Sequence, residues 1–161
     1  MTAESALDPA VTSPAGARGL MQLMPALAEK LHPDVYPNSA FHPDRLYAPG
    51  YNATLGTTEL TRLAEQFGEA GMDTPLPLVI AGYNGGPDAV GRWLNQWAPD
   101  EDGSVLWGDP ARVDLWSEFI GYSETRKYVR RVLGFLQTYR LVYGDNDKAS
   151  TESVSGSPGD E

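Results

Sequence analysis

The strongest constraint on the fold is a run of apolar residues at helical spacing near the C-terminal end of the chain. Ser123 is suited to cap a helix, and Glu124 then lies at the positive end of that helix. The apolar positions that follow recur every three or four residues, as one face of an amphipathic helix requires. They are Tyr128, Val129, Val132, Leu133, Leu136 and Tyr139. This is the clearest helix that the sequence predicts.

Earlier segments repeat this helical pattern between stretches rich in proline and glycine. Pro25 and Pro87 are suited to the first position of two helices, the first ending near Leu31. An amphipathic helix is expected over 52–67, and a short buried helix over 75–81 leads into a sharp turn at 82–87. We expect loops at 1–18, with at most one helical turn near Glu4, and at 32–51 and 98–110. The pattern predicts an all-α fold.

Length and charge limit the classes of protein to consider. A chain of 161 residues suits one compact domain that needs no partner subunit, so we expect a monomer. The net charge of −10 argues against nucleic acid as a partner, because nucleic acids are bound through Lys and Arg. No apolar run approaches the roughly 20 residues of a membrane span, and no export signal is recognisable.

The available side chains favour carboxylate chemistry. The chain has no cysteine, which excludes disulfides, thiolate metal sites and cysteine nucleophiles. It has two histidines, His32 and His42, each beside a proline, so a histidine metal site or a catalytic triad is poorly supported. After Gly144 the sequence has one valine and no aromatic residue, which predicts a disordered acidic tail over 144–161 behind a domain of residues 1–143.

Three stretches far apart in the sequence place polar residues among glycines and small side chains, where a helix prefers neither. The first is Glu4-Ser5 together with the segment SPAGARGLMQ at 13–22, the second is GYNGGP at 82–87, and the third is SETRKYV at 123–129. In this order and spacing they resemble the soluble lytic transglycosylase domain of the lysozyme-like superfamily. The family pattern runs from Glu-Ser through Gly-Leu-Met-Gln and Ala-Tyr-Asn-Ala-Gly-Pro to Glu-Thr-Arg-x-Tyr-Val. The resemblance covers roughly residues 3–143.

The resemblance implies a lysozyme-like domain that binds peptidoglycan glycan strands in a groove. It implies that the enzyme cleaves the bond between N-acetylmuramic acid and N-acetylglucosamine and leaves a 1,6-anhydromuramoyl end, in the bacterial cell envelope and without a metal or cofactor. Glu4 is the implied catalytic residue. The implied substrate-binding residues are Ser13, Met21, Gln22, Tyr83, Asn84, Glu124 and Tyr128.

The chemistry of that reaction explains why these residue types are needed. A glycosidic oxygen leaves poorly unless it is protonated, so the acid must keep its proton near neutral pH in an apolar, water-poor pocket. Leu20, Met21, Met24 and Tyr83 are candidates to supply that pocket. Once Glu4 has donated its proton, it can accept one from the C6 hydroxyl that attacks the anomeric carbon. Ordinary glycosidases use two carboxylates, and no second one is obvious here.

Structural interpretations remain open beside the functional ones. Ser13 can cap a turn, Gln22 can anchor backbone, and Tyr83 and Tyr128 can be core aromatic residues. Glu124 is either a direct participant or a neighbour that orients Glu4. Trp93 and Trp97 fit core packing, which leaves Trp107 and Trp116 as candidates for carbohydrate contact.

Two other functions also remain open. One is a hydrolytic muramidase of the goose-type lysozyme kind, which a second carboxylate across the groove would favour. The other is a noncatalytic module that binds peptidoglycan. Family members usually have a helix before the catalytic Glu, whereas only three residues precede Glu4, so we expect this lead-in helix to be missing.

Overall fold

The structure is a computed structural model that describes residues 1–68, 76–97, 118 and 120–152. These residues form helices and connecting loops, and none of them lies in a β-strand. The helices are α1 (Thr2–Ser5), α2 (Pro25–Val35), a short 3-10 helix (Pro43–Tyr47), α3 (Pro49–Gly68), α4 (Leu76–Gly85), α5 (Pro87–Trp97) and α6 (Ser123–Glu152). The prediction of an all-α fold is therefore confirmed for the described residues.

Prolines account for the main errors in the predicted boundaries. The segment 32–51 was expected to be a loop, yet α2 continues to Val35, a 3-10 helix begins at Pro43 and α3 begins at Pro49. Pro43 and Pro49 occupy first positions of helices, where the missing proline N–H has no intrahelical acceptor to lose. Proline at these positions starts a helix, whereas Pro33 lies inside α2, which ends two residues later at Val35.

The sharp turn predicted at 82–87 is shorter than expected. Helix α4 continues through Gly85, so Tyr83 and Asn84 are helical residues. Only Gly86 has the left-handed backbone, with φ of 86°, and Pro87 then begins α5. A single glycine after a helix is enough to reverse the chain, because glycine adopts this conformation without steric cost.

Helix α6 extends beyond the predicted boundary at Gly144 and ends at Glu152. Residues 144–152 of the segment expected to be disordered are therefore helical in the structure, and 153–161 lie outside the described residues. No proline or glycine occurs at 145–152, and lengthening an existing helix requires no new nucleation. The division of the chain at 143 stays a prediction.

Two apolar clusters form the core. The first lies between α4, α5 and α6 and includes Ile80, Val90, Trp93, Ile120 and Val129. The second lies between α2, the 3-10 helix and α3 and includes Leu23, Leu31, Leu46, Tyr51 and Leu55. Helix α3 packs against α4 where Leu63 and Phe67 approach Gly82, which joins the two clusters.

The tryptophans divide between core and undescribed positions. Trp93 is buried in the first cluster, as expected for a core residue. The side chain of Trp97, and Trp107 and Trp116 altogether, lie outside the described residues. Across the helices that the structure describes, none has the length and apolar character needed to span a membrane.

Candidate active site

Glu4 is presented by a single helical turn at the start of the chain. Ser5, the next residue, donates a hydrogen bond from Oγ to the Leu20 carbonyl oxygen at 2.9 Å, which ties this turn to the loop that follows. Ala6 and Leu7 then have left-handed backbone, with φ of 50° and 70°, and redirect the chain. Asp8, the nearest acidic residue in sequence, is exposed and accepts a hydrogen bond from the Ala10 N–H at 2.9 Å. It acts as a turn residue.

The Glu4 side chain lines a cavity of about 310 Å³. The walls of the cavity are predominantly apolar, so an ionised carboxylate there loses much of its hydration. The other lining residues are Met1, Ala3, Met21, Leu60, Leu76, Ile80, Tyr83, Tyr128, Val132, Phe135, Leu136 and Tyr139. Among the residues that the structure describes, Glu4 is the only carboxylate in this lining.

Tyr128 of α6 donates a hydrogen bond from its hydroxyl to Glu4 Oε1, across 124 residues of sequence. Burial raises the pKa of Glu4 above its ordinary value. The Tyr128 hydrogen bond and the positive charges of the Met1 amino group and Arg131 oppose this rise and reverse only part of it. The environment therefore favours the protonated acid, while one hydrogen bond and two charges remain available to the carboxylate.

Tyr83 of α4 forms another wall of the cavity and donates a hydrogen bond to the Met21 carbonyl oxygen at 2.9 Å. Burial, and then the nearby charges of Glu4 and Glu59, raise the pKa of the Tyr83 phenol. Burial and the Glu4 charge also raise the pKa of Tyr128. Both phenols thus keep their protons and remain hydrogen-bond donors around Glu4.

The loop that carries Met21 is held by Asn52 of α3, a residue that we did not predict. The buried Asn52 accepts a hydrogen bond from the Met21 N–H at 2.7 Å and donates to the carbonyl oxygens of Arg18 at 2.8 Å and Leu46 at 2.9 Å. All of its amide donors and one acceptor site are thereby used inside the protein. Asn52 lies three residues before Leu55 on the apolar face of α3, and a polar residue in an apolar stripe was the available signal.

Four of the eight predicted site residues share the cavity, namely Glu4, Met21, Tyr83 and Tyr128. The other four do not line it. Ser13 Oγ accepts a hydrogen bond from the Ala17 N–H at 3.0 Å, which is the turn-capping arrangement. Gln22, with φ of 49°, donates to the carbonyl oxygens of Val11 and Gly19 at 3.2 and 2.9 Å and so anchors backbone.

Asn84 and Glu124 also lie apart from the cavity. Asn84 Oδ1 accepts a hydrogen bond from Thr125 Oγ1 at 2.8 Å, which links α4 to α6. Glu124 is exposed at the start of α6. These two positions frame the junction between the helices that carry Tyr83 and Tyr128, and their predicted contact with substrate stays a prediction.

Glu59 of α3 is a second buried carboxylate that the sequence reasoning missed. It is 4% exposed, and Oε2 has no hydrogen-bond partner among the described residues. Burial raises the pKa of Glu59, and Arg62, with Nε 3.7 Å from Oε2, opposes the rise. Glu59 is not part of the lining of the cavity. Its spacing of four residues from both Leu55 and Leu63 placed it within the apolar stripe.

Residues that commonly hold a metal ion do not converge in the described part of the chain. No group of three or more His, Asp or Glu side chains there is arranged to bind a cation. The described lining instead combines one carboxylic acid, three tyrosine phenols and an apolar enclosure, which is an arrangement suited to proton transfer.

Comparisons with known proteins identify the family and the fold of the chain. The family model described as the transglycosylase SLT domain matches residues 1–103. The soluble lytic murein transglycosylase of Escherichia coli K12 is 35% identical over 144 residues, which cover 88% of this chain and 20% of that protein. The protein of the same name from Salmonella typhimurium is 34% identical over 152 residues, with 93% and 21% covered.

Two solved structures have the same fold. The crystal structure of the 70 kDa soluble lytic transglycosylase of Escherichia coli matches with a TM-score of 0.71 and 34% identity, over 89% of this chain and 21% of that one. An inactive mutant of the lytic transglycosylase Slt from Pseudomonas aeruginosa matches with a TM-score of 0.68 and 30% identity, over 92% and 21%.

The chain spans about a fifth of the length of these relatives. The family model nevertheless covers well over half of the chain, and the all-α architecture coincides with that of the solved relatives. The chain therefore belongs to the transglycosylase SLT domain family, within the lysozyme-like superfamily.

Proposed function

We propose that the chain is a lytic transglycosylase of bacterial peptidoglycan, acting in the cell envelope, with Glu4 as its acid and base. The curated relatives are named as soluble or membrane-bound lytic murein transglycosylases, and that activity is what we transfer to this chain. The observation that carries the proposal is the state of Glu4, a carboxyl group whose pKa is raised by burial in an apolar cavity beside two phenol donors.

The first half of the proposed reaction is proton donation. Protonated Glu4 gives its proton to the oxygen that links C1 of N-acetylmuramic acid to C4 of N-acetylglucosamine, and the bond from C1 to that oxygen breaks. The N-acetylglucosamine side leaves as an alcohol, and positive charge develops at C1. The Tyr128 hydrogen bond supports the carboxylate that Glu4 becomes, since a hydrogen bond to the charged form stabilises it.

The second half returns the proton to Glu4. The C6 hydroxyl of the same muramoyl residue attacks C1, the bond from O6 to C1 forms, and the hydroxyl proton passes to the Glu4 carboxylate. The product carries a 1,6-anhydro ring, no water is consumed, and the enzyme regains its initial protonation state. A single carboxylate, that of Glu4, is therefore enough for both steps.

The cavity favours this reaction over hydrolysis. Glycosidases with two carboxylates hold them about 5 Å apart when they retain configuration and about 6.5 to 9.5 Å apart when they invert it, with both facing the sugar. Glu59, the other buried carboxylate described, is not part of the cavity lining. A carboxylate that activates water is therefore not supplied by the described lining.

The test is mass spectrometry of the soluble products that the chain releases from purified peptidoglycan, compared with Glu4→Gln. Glu65→Gln, an exposed change on α3, serves as the matched control. We expect anhydromuropeptides from the parent chain and from Glu65→Gln, and none from Glu4→Gln. The circular dichroism spectrum of Glu4→Gln should match that of the parent, which shows that the variant is folded. Hydrated reducing ends would show a muramidase instead, and binding without any product would show a noncatalytic module.

A further inference from the structure

Arg131 of α6 lies beside Glu4 without lining the cavity. It follows Tyr128 by three residues and precedes Val132 by one, and both of these residues line the cavity. The exposed Arg131 side chain reaches across to α1, where Nη2 donates a hydrogen bond to the Ala3 carbonyl oxygen at 3.1 Å. Its guanidinium carbon lies 5.7 Å from the centre of the Tyr128 ring. Arg131 thus contacts both the residue before Glu4 and the residue that hydrogen-bonds Glu4.

The neighbouring arginine behaves differently. Arg130 pairs with Glu118, away from the cavity. Among the described residues no carboxylate lies within ion-pair distance of Arg131, so its charge is not cancelled by a partner there. Two adjacent arginines of the same helix therefore have separate environments, and one of them offers a matched control for the other.

The hydrogen bond to Ala3 has a mechanical consequence. Helix α1 is a single turn. The carbonyl groups in the last turn of a helix have no N–H donor within the helix. Arg131 donates a hydrogen bond to one of these carbonyl groups, that of Ala3, and so holds the turn against α6. Glu4 is the next residue, so the same contact limits how far its carboxyl group can move from the Tyr128 hydroxyl.

We propose that Arg131 is a positioning residue for Glu4, which holds the α1 turn against Tyr128 and places a permanent positive charge beside the carboxylate that forms when Glu4 donates its proton. The inference rests on the proposed function, because it assigns Arg131 a part in the same two proton transfers. An arginine guanidinium group is a permanent cation in proteins, so the positive charge beside Glu4 stays the same while Glu4 loses and regains its proton.

The other charged and titratable groups that face Glu4 are few. Within the described residues they are Tyr128, Tyr139 and Arg131 from α6, Tyr83 from α4, and the Met1 amino group from its own turn. Tyr83 and Tyr128 stay protonated, since burial and the Glu4 charge raise their pKa values. Arg131 lowers the pKa of Glu4, so removal of its charge moves that pKa upward. Because the reaction begins with protonated Glu4, the alkaline limb of kcat/KM must move to higher pH.

The experiment compares Arg131→Gln, Arg131→Lys and the control Arg130→Gln with the parent chain. Cleavage of soluble glycan strands is followed across pH, and kcat and KM are determined separately. We expect Arg131→Gln to move the alkaline limb to higher pH and to lower kcat roughly tenfold with little change in KM, since a misplaced acid loses up to about 10²-fold. Arg131→Lys keeps the charge and is expected to restore the pH profile, and Arg130→Gln is expected to match the parent.

Two results would overturn the inference. One is a pH profile of Arg131→Gln that superimposes on that of the parent, whether or not the overall rate falls. The other is an equal loss in Arg131→Gln and Arg131→Lys at every pH, which would show a structural tie without a role for the charge.

A second readout separates this inference from the proposed function. The Glu4 carboxyl group is titrated by carbon NMR in the parent and in Arg131→Gln, with its resonance assigned through Glu4→Gln. If the parent does not cleave glycan strands, the proposed function fails, and an upward shift of the Glu4 titration in Arg131→Gln still supports the inference. An unshifted Glu4 titration would refute the inference even in an active enzyme.

Discussion

Replacement of Asn52 by alanine should destabilise the whole domain while it removes no apolar contact of note. Asn52 is fully buried, and its amide makes three hydrogen bonds to backbone groups of three separate residues. A buried backbone group left without a partner costs about 1 to 3 kcal/mol. If one or two of these three groups regain a partner through local movement, one or two remain unpaired, which amounts to a loss of about 1 to 6 kcal/mol. The upper end of this range is a large part of the roughly 5 to 15 kcal/mol that stabilises a typical domain.

The assay is urea unfolding followed by far-ultraviolet circular dichroism, with the free energy of unfolding extrapolated to water. Asn95→Ala is the matched control, since Asn95 is an exposed residue of α5 and its replacement leaves no buried group unpaired. The control should change the free energy of unfolding by less than about 0.5 kcal/mol. A loss below about 1 kcal/mol in Asn52→Ala would refute the reasoning, because it would mean that the Met21 loop does not depend on this amide.

Two further predictions concern α3. Gly56→Ala should lower the free energy of unfolding by about 1 to 3 kcal/mol, since the added Cβ would lie 2.8 Å from Met21 Cε and 3.0 Å from Met21 Cβ. Gly91→Ala in α5 is the control: its added Cβ meets nothing within 4 Å, and it should raise the free energy of unfolding by up to about 1 kcal/mol. Equal effects of the two changes in urea unfolding would contradict the packing argument. Burial raises the pKa of Glu59, so its contribution to stability is complete below the ordinary carboxyl pKa and is lost as the pH rises through the raised value. Glu59→Gln should flatten this loss in thermal melts taken from acid to neutral pH, and a slope identical to that of the parent would show that Glu59 is ionised without penalty.

The helical architecture could be predicted because each long helix carries its own apolar stripe. Helices α3, α5 and α6 were expected from this spacing, and all three are present. The prediction of a loop at 32–51 was wrong because proline has opposite effects at the first turn and in the interior of a helix. The spacing of residues alone does not say which of these positions a proline occupies. The continuation of α6 past Gly144 depends on the helix that has already formed before Gly144, and the composition of the tail alone does not reveal this.

The candidate site was predictable only where its residues belong to the motifs. Glu4, Met21, Tyr83 and Tyr128 were expected together, and they line one cavity. Asn52 and Glu59 lie in α3, outside every motif, and were hidden within an otherwise ordinary amphipathic pattern. The partner of Arg131 is a backbone carbonyl group, which leaves no trace in the identity of the residue that carries it. Contacts of that kind become visible only when the helices are placed in space.

The hydrogen bond between Tyr128 and Glu4 also imposes an order of events during synthesis. It closes a loop of 124 residues, and such a loop is held only when α6 has packed against α4. A nascent chain leaves the ribosome with Glu4 first and Tyr128 long afterwards, since translation proceeds from the N-terminus. Until α6 emerges and docks, the Glu4 carboxyl group lacks the Tyr128 hydrogen bond and the part of its apolar enclosure that α6 supplies. On the proposed function, we expect the unfinished polypeptide to be unable to cleave glycan strands until the fold is complete.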